Sequence, residues 1–261
     1  MTQSDIVVHV DGEAVAFVTL NRPRQINAIK LSMWRDLTPI MTDLGGREDV
    51  RAVVLTGAGG HFSAGADIKE FVQNRMGGDL WVDYERHFVA AVEAVRTCAK
   101  PTIAAVSGNC MGGACALAMA CDFRIADPTA RFAIPSAKLG VVYGLPETTL
   151  LVALVGVAAA KRVLYTGDSV DAGEAQRIGL VEEVVPGPPR EAAVALARRM
   201  VNNAPLSIAG AKRMLNALAR GESGAHAEEF RALTRGAVNS EDYREGSRAF
   251  VEKRMPTFRG R

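Results

Sequence analysis

Four cysteines in 261 residues, none in C-x-x-C spacing, leave no zinc knot and no thiol-redox motif to read. Cys98, Cys110, Cys115 and Cys121 are spaced as small core residues of a reducing compartment, three of them in or near one apolar run. An excess of charge is also missing. Lys and Arg number 31 against 29 Asp and Glu, a formal net charge of +2, and the two signs are interspersed, so no basic stripe offers itself to nucleic acid or an anionic membrane. The N-terminal "MTQSDIVVHVDGEAV" has no charged leader followed by an apolar h-region. The longest apolar runs are broken by Gly, Asp or Lys before they reach bilayer length. Together these absences predict a cytoplasmic protein with no nucleic-acid partner, no membrane partner and no metal. No low-complexity tract and no repeat of fixed period is visible.

What is present is an apolar fraction of 48%, enough for a full core in one large domain with a smaller C-terminal appendage. "IVVHV" and "VAFVTL" flank "DGEA" and read as a hairpin turning at Asp11-Gly12. An amphipathic segment from Leu31 to Leu44 leads to "RAVVLTG", a β-branched run closed by Gly57, as a buried parallel strand would be. A glycine-rich loop, "GAGGHFSAGADIKE", passes into helical spacing at Phe88, Val89, Val92 and Val95, and Pro101 introduces a second buried strand, "TIAAVSG". Short strands "FRIAD" and "RFAI", helical patterns over Glu147–Val155 and Asp171–Ile178, and a last strand "LVEEVV" follow. Beyond Arg190 the chain is helix-compatible, with breaks at Asn203-Ala204-Pro205 and near Gly221. The reading is an α/β core over residues 1–200 and a helical C-terminal region over 201–261.

Chemistry is expected at the two glycine-rich loops, "GAGGHFSAGADIKE" and "GNCMGGACALAMACD". Each follows a buried strand and precedes a helix, where N–H groups without intrahelical partners meet the positive end of the macrodipole. Glycine lets a ligand approach such a main chain closely. A dinucleotide fingerprint fails because "GAGGHF" lacks its third glycine and only Asp79, beside Gly77 and Gly78, offers an acid about twenty residues on. No P-loop motif exists. Ser63 in "GHFSAG" misses the nucleophile-elbow spacing by one residue and reads as an ordinary loop serine.

The segments "NRPRQINAI", "HFSAGADIKE", "AAVSGNCMGGACALAMACDFRIAD", "FAIPSAKLGVV", "GEAQRIGLVEEVV" and "EGSRAFVEKRMPTF" resemble the enoyl-CoA hydratase/isomerase (crotonase) superfamily from about residue 15 to the C-terminus. The resemblance implies a crotonase-like spiral of β-β-α turns with a helical C-terminal trimerisation region. It implies an acyl-coenzyme A thioester as ligand, no cofactor beyond the coenzyme A of the substrate, and a homotrimer or dimer of trimers. It places two backbone donors for the thioester oxygen at Ala66 and Gly113. It assigns the coenzyme A channel to Arg24, Ile26, Ala64, Asp67 and Ile68, with Phe250 and Lys253 reaching the coenzyme A of a neighbouring subunit.

Where hydratases of the family carry two glutamates, this chain has Ala116 and Ser136. Neither exchanges a proton as a carboxyl tuned near neutrality does. A substrate carrying its own carboxylate could generate the enolate by losing CO₂ without a base, and removal of acids lessens repulsion of that carboxylate. "AKLGVVYGL" and the C-terminal segments further resemble the methylmalonyl-CoA decarboxylase branch, in which a tyrosine matching Tyr143 orients the substrate carboxylate. That branch can retain the first glutamate and has a histidine where Ala66 stands. A lyase is thus the expected activity, with a hydratase or isomerase using Glu147, or a non-catalytic acyl-CoA binder, as alternatives. Tyr143 reads equally as a half-buried packing residue with its hydroxyl in water. Glu147 also fits an acid serving the dipole at a helix start, and His61 an exposed loop histidine.

Overall fold

The hairpin forms where the sequence places it: β1 (Ile6–Val10) and β2 (Val15–Leu20) pair antiparallel. The Asp11 carboxylate accepts the N–H groups of Glu13 and Val15, both at 2.9 Å, which folds the turn. In this computed structural model, residues 4–67, 69–70 and 79–261 are described. β2 then leads a parallel set of β3 (Ala52–Gly57), β4 (Thr102–Val106), β6 (Phe123–Ala126) and β9 (Glu183–Val184), in the order β1-β2-β3-β4-β6-β9. A second, three-stranded sheet joins β5 (Asn109–Met111), β7 (Arg131–Ala133) and β8 (Val170–Asp171).

Strand periodicity distributes the core to both faces of the large sheet. Val15, Phe17, Ala52, Val54, Ile103, Ala105 and Ile125 lie under the buried Ala193 and Ala197 of the helix Pro189–Val201. Ala16, Val18, Leu20, Val53, Leu55, Ala104 and Val106 share the opposite core with Trp34, Leu37 and Met41 of α1 (Leu31–Gly46). Burial on both sides is why these strands read as unbroken apolar runs. The same core receives Val92 and Val95 from α2 (Asp79–Thr97) and the whole of α3 (Gly113–Ala120), whose residues Ala114 to Ala120 are all buried.

Each turn of the chain crosses both sheets before its helix. β4 in the large sheet is followed by β5 in the small one and then α3, and β6 is followed by β7. β3 has the same sequel in miniature, because Ser63 forms a one-residue parallel bridge with Cys110 of β5. These are β-β-α turns of a spiral.

α4 (Leu145–Thr166) is longer than the expected Glu147–Val155, and its apolar run is interrupted by Gly156 and Lys161. Its 22 residues, of mean hydropathy 1.5, have the length and composition of a membrane span. Gly156, at φ 72 and ψ 167, nevertheless breaks it into two helical pieces, as glycine at positive φ permits. The expected strand "LVEEVV" shrinks to Glu183–Val184 because Leu180 and Val181 turn into the core. α5 (Ala172–Arg177) starts at Asp171, whose carboxylate caps Glu174 N–H. α6 is the Pro189–Val201 helix already described.

The C-terminal helices α7 (Pro205–Ala219) and α8 (Ala227–Asn239) are bounded by the expected breaks at Pro205 and near Gly221, and a further break at Ser240, not expected, begins α9 (Glu241–Glu252). α7 is fastened to the sheet by Lys212, 9% exposed, whose ammonium donates to Asp122 Oδ2 at 2.8 Å and Lys100 O at 3.1 Å. Asp122 in turn accepts the Thr102 N–H at 2.8 Å. Removing the cation strands a largely buried carboxylate, so Lys212→Ala should lower unfolding free energy by about 3 kcal/mol, read as a reduced urea midpoint at unchanged slope.

Candidate functional site

The segment Asn21–Ile29 and the two glycine-rich loops are knotted by buried polar groups. Asn27, 0% exposed, donates through Nδ2 to the carbonyls of Ala58 and His61, both at 2.7 Å, and accepts the Arg22 N–H at 3.0 Å. Ser63 is not an ordinary loop serine. It is fully buried, donates to Asn27 O at 2.8 Å and accepts Gly65 N–H at 3.0 Å. His61 corrects its expected exposure: it is half-buried, and its Nδ1 accepts the Asn109 N–H at 3.1 Å, tying the first loop to the second.

Two further ladders fix the loops' register. Ser63 N–H donates to Asn109 O and Met111 N–H to Ser63 O, while Ile29 N–H donates to Gly65 O and Asp67 N–H to Ile29 O. In this parallel pairing the N–H of the intervening Ala66 faces away from Ile29. Ala66 stands three residues beyond Ser63 and Gly113 three beyond Cys110, its bridge partner. Each is preceded by a glycine at positive φ, Gly65 at 89° and Gly112 at 53°. Among the described residues neither the Ala66 nor the Gly113 N–H has an acceptor. Both residues are half-buried, within reach of a ligand. Gly113 opens α3, so its N–H lies at the positive end of that helix. A Cβ on Gly65 would sit 2.5 Å from Met111 O and 3.8 Å from Gly113 N, which shows both how closely the loops approach and why glycine is required.

Two buried polar atoms around the start of the helix Leu145–Thr166 have no partners. Among the described residues, Tyr143 Oη and Glu147 Oε1 are buried and make no hydrogen bond. The tyrosine hydroxyl is therefore not in water, as its packing alternative had it. Glu147 lies in the first turn of α4 yet is 1% exposed, which also corrects its reading as an exposed dipole partner. Its Oε2 rests against Gly144, where an added Cβ would come within 2.3 Å. Burial raises the Glu147 pKa above 4.5; a hydrogen bond within its own residue opposes the shift, and the charge of Glu85 on α2 adds to it. Burial likewise pushes the Tyr143 phenol well above 10, with Cys115, Glu147 and Cys110 nearby reinforcing the effect.

The other expected ligand residues fall into two groups. Arg24 is exposed in the 3-10 turn Pro23–Gln25, Ile26 ends it at φ 51, and Ala64 N–H donates to Ile26 O at 2.8 Å, so these three share one rim. Asp67 joins that rim with its carboxylate held by Arg22 at 3.0 Å. Ile68 lies outside the described residues. Phe250 is 85% exposed, and Lys253, rather than standing on a helix face, ends α9 in the left-handed conformation at φ 52. Within one chain neither is packed into the site. Ala116 is fully buried in α3, and Ser136, 8% exposed, precedes the 3-10 turn Ala137–Leu139; no carboxyl is supplied at either place.

Sequence reasoning missed a group of aromatic residues. Trp34 of α1 and Phe88 of α2 touch Gly113, each with a ring carbon 3.3 Å from where its Cβ would be. The Trp34 indole donates to Tyr84 Oη at 3.0 Å. Their i, i+4 spacing at Tyr84 and Phe88 was the available signal, but it reads as core packing alone.

Among the described residues the β-β-α spiral thus presents two N–H groups without acceptors, the kind of donors that can hold an oxyanion, and one buried acid with an unpartnered oxygen. Residues 11–261 match the family model described as enoyl-CoA hydratase/isomerase, and the chain belongs to that family. It is 38% identical over 262 residues to the Mycobacterium tuberculosis protein named probable enoyl-CoA hydratase echA8, covering 99% of both chains. It is 36% identical over 266 residues to the short-chain-enoyl-CoA hydratase of Clostridium acetobutylicum, covering 97% of each. A solved enoyl-CoA hydratase/isomerase family structure from Hyphomonas neptunium superimposes with a TM-score of 0.94 at 34% identity, over 99% of this chain and 98% of that one. The fold is thus the crotonase fold, and the protein is an acyl-CoA thioester enzyme of this superfamily.

The raised Glu147 pKa has a thermodynamic signature. A carboxyl whose folded pKa lies above its unfolded value binds its proton more tightly when folded. The associated stability is present below pH 4.5 and is lost as pH rises through the folded value. Glu147→Gln, which keeps shape without the charge, should therefore match the parent near pH 4 and exceed it in urea midpoint near pH 8. Equal midpoints at both pH values would contradict the assigned burial.

Proposed function

We propose that the protein acts on an enoyl-CoA thioester, with Ala66 and Gly113 N–H groups receiving the thioester oxygen and Glu147 exchanging the proton. The observation that carries this reading is the buried, unpartnered Glu147 Oε1, in a chain whose Ala66 and Gly113 N–H groups also lack acceptors among the described residues. In hydration, Glu147 takes a proton from water as the water oxygen bonds to C3. Electrons shift through C2 onto the thioester oxygen, and the enolate then collapses with delivery of the same proton to C2. Double-bond isomerisation uses the same carboxyl to carry a proton between C2 and C4. The printed names of the relatives support hydration of a short enoyl-CoA, and either reaction is served by one acid. Two preorganised donors supply much of the stabilisation, each worth on the order of 10²–10³ in rate.

The coenzyme A moiety is placed along the rim formed by Arg24, Ile26, Ala64 and Asp67. Phe250 and Lys253 serve this channel only across a subunit boundary, which supports a homotrimer or a dimer of trimers. Exposed apolar side chains on and just beyond α9, Val251 and Met255 among them, are consistent with such a contact.

Decarboxylation of a methylmalonyl-type ester is the second reading. Ala116, Ser136 and the unpartnered Tyr143 hydroxyl favour it, since a phenol can hydrogen-bond a substrate carboxylate where two acids are missing. Mass spectrometry of the protein with crotonyl-, vinylacetyl- and methylmalonyl-CoA separates the two. On the proposed reading crotonyl-CoA gains water or vinylacetyl-CoA is isomerised, and Glu147→Gln loses about 10²-fold or more of turnover. Loss of CO₂ that survives Glu147→Gln but falls in Tyr143→Phe would establish the lyase instead. Binding of acyl-CoA with no turnover of any ester would leave a non-catalytic binder.

A further inference from the structure

We propose that Trp34 and Phe88 form a fixed wall behind Gly113 that restricts the site to short acyl groups, an inference that rests on the acyl-CoA reading above. The thioester oxygen is placed on the Gly113 N–H, so whatever closes the side of Gly113 on which a side chain would stand bounds the space open to the acyl chain. Two aromatic rings do so: Trp34 Cζ2 and Phe88 Cε2 each lie 3.3 Å from the position of an absent Cβ. Even a single added methyl would be crowded there, so that side has no room for a chain of methylene groups.

The wall is also held in place. Trp34 is fully buried, its indole N–H is anchored on Tyr84 Oη at 3.0 Å, and Phe88 meets it edge to face at 5.0 Å between centroids, 82° between planes. This is a favoured aromatic geometry, and the hydrogen bond fixes the ring's remaining freedom. Because α1 carries Trp34 while α2 carries Tyr84 and Phe88, displacing one ring disturbs two helices. The same turn of α2 carries Glu85, whose charge is felt by the Glu147 carboxyl. A long chain would have to push apart a close-packed aromatic pair, whereas a short one ends before reaching it.

Binding of saturated thioesters tests this without requiring turnover. The probes are free coenzyme A, butyryl-CoA, octanoyl-CoA and dodecanoyl-CoA, titrated calorimetrically into the parent protein, Phe88→Ala and Trp34→Phe. Trp34→Phe retains apolar bulk at a buried site while losing the Tyr84 anchor, so it guards against a variant that fails to fold. We expect the parent to prefer butyryl- over octanoyl-CoA by about tenfold or more, and Phe88→Ala to move the octanoyl-to-butyryl affinity ratio by a similar factor toward the longer chain. Trp34→Phe should shift the ratio in the same direction. Equal affinity of the parent for all three esters overturns the wall, as does a ratio unchanged in both variants. Failure to bind any coenzyme A compound overturns instead the acyl-CoA reading on which the wall depends.

Discussion

The single pairing of Ser63 with Cys110 is the constraint on which the site depends. It joins the end of one spiral turn to the strand of the next, and so sets Ala66 and Gly113 at equivalent distances from one bridge. Two amides separated by 47 positions in sequence thereby open toward a common space. Neither loop could hold that geometry alone, because backbone groups in a glycine-rich segment carry a large conformational entropy. The buried Asn27, Ser63 and His61 contacts resist that freedom by satisfying the loops' carbonyl and N–H groups internally.

Leaving polar atoms unpaired in a protein interior typically costs about 1–3 kcal/mol each. Among the described residues Thr38 Oγ1, Tyr143 Oη and Glu147 Oε1 sit in such a state, the last two only four residues apart in sequence. A structure that otherwise matches pattern, packing and turn chemistry departs from those rules where function demands it. The raised pKa values of the tyrosine and the glutamate follow from the same burial. At Tyr143 and Glu147 one burial therefore has both effects, a raised pKa and an oxygen without a partner. A surface cavity of about 650 Å³ lies among α7, α8 and α9.

Much of the frame was legible before any coordinates. The β2, β3 and β4 runs announced burial on both faces, and the breaks at Pro205 and Gly221 were read correctly, because periodicity and local turn chemistry carry that information. The two oxyanion loops could be found for the same reason: glycines between a strand and a helix are conspicuous. The extent of α4 could not be read, since an apolar stretch does not reveal whether a glycine at its middle ends a helix or merely kinks it. Exposure was also misjudged for His61 and Glu147. A histidine in a loop and an acid after proline are exposed by default, and only tertiary closure by the Asn109 amide and by Gly144 makes them otherwise. The aromatic contact with Gly113 was invisible because it joins three segments distant in sequence.

Ala116 shows how substitution within one helix changes the chemistry expected of the whole site. It is fully buried in a helix whose neighbours from Ala114 to Ala120 are buried too. An ionised carboxyl there would need partners that the surrounding apolar side chains do not offer. Alanine leaves α3 free to do one thing, presenting its first N–H groups to a developing negative charge without a competing acid on the same helix. In the proposed reaction the acid comes instead from α4, where Glu147 lies in the first turn and Gly144 gives it room. Donors and proton carrier then belong to separate elements, packed against each other through the common core. In the proposed reaction this separation matters, because the oxyanion and the proton occupy different atoms of the thioester and must be met from different directions.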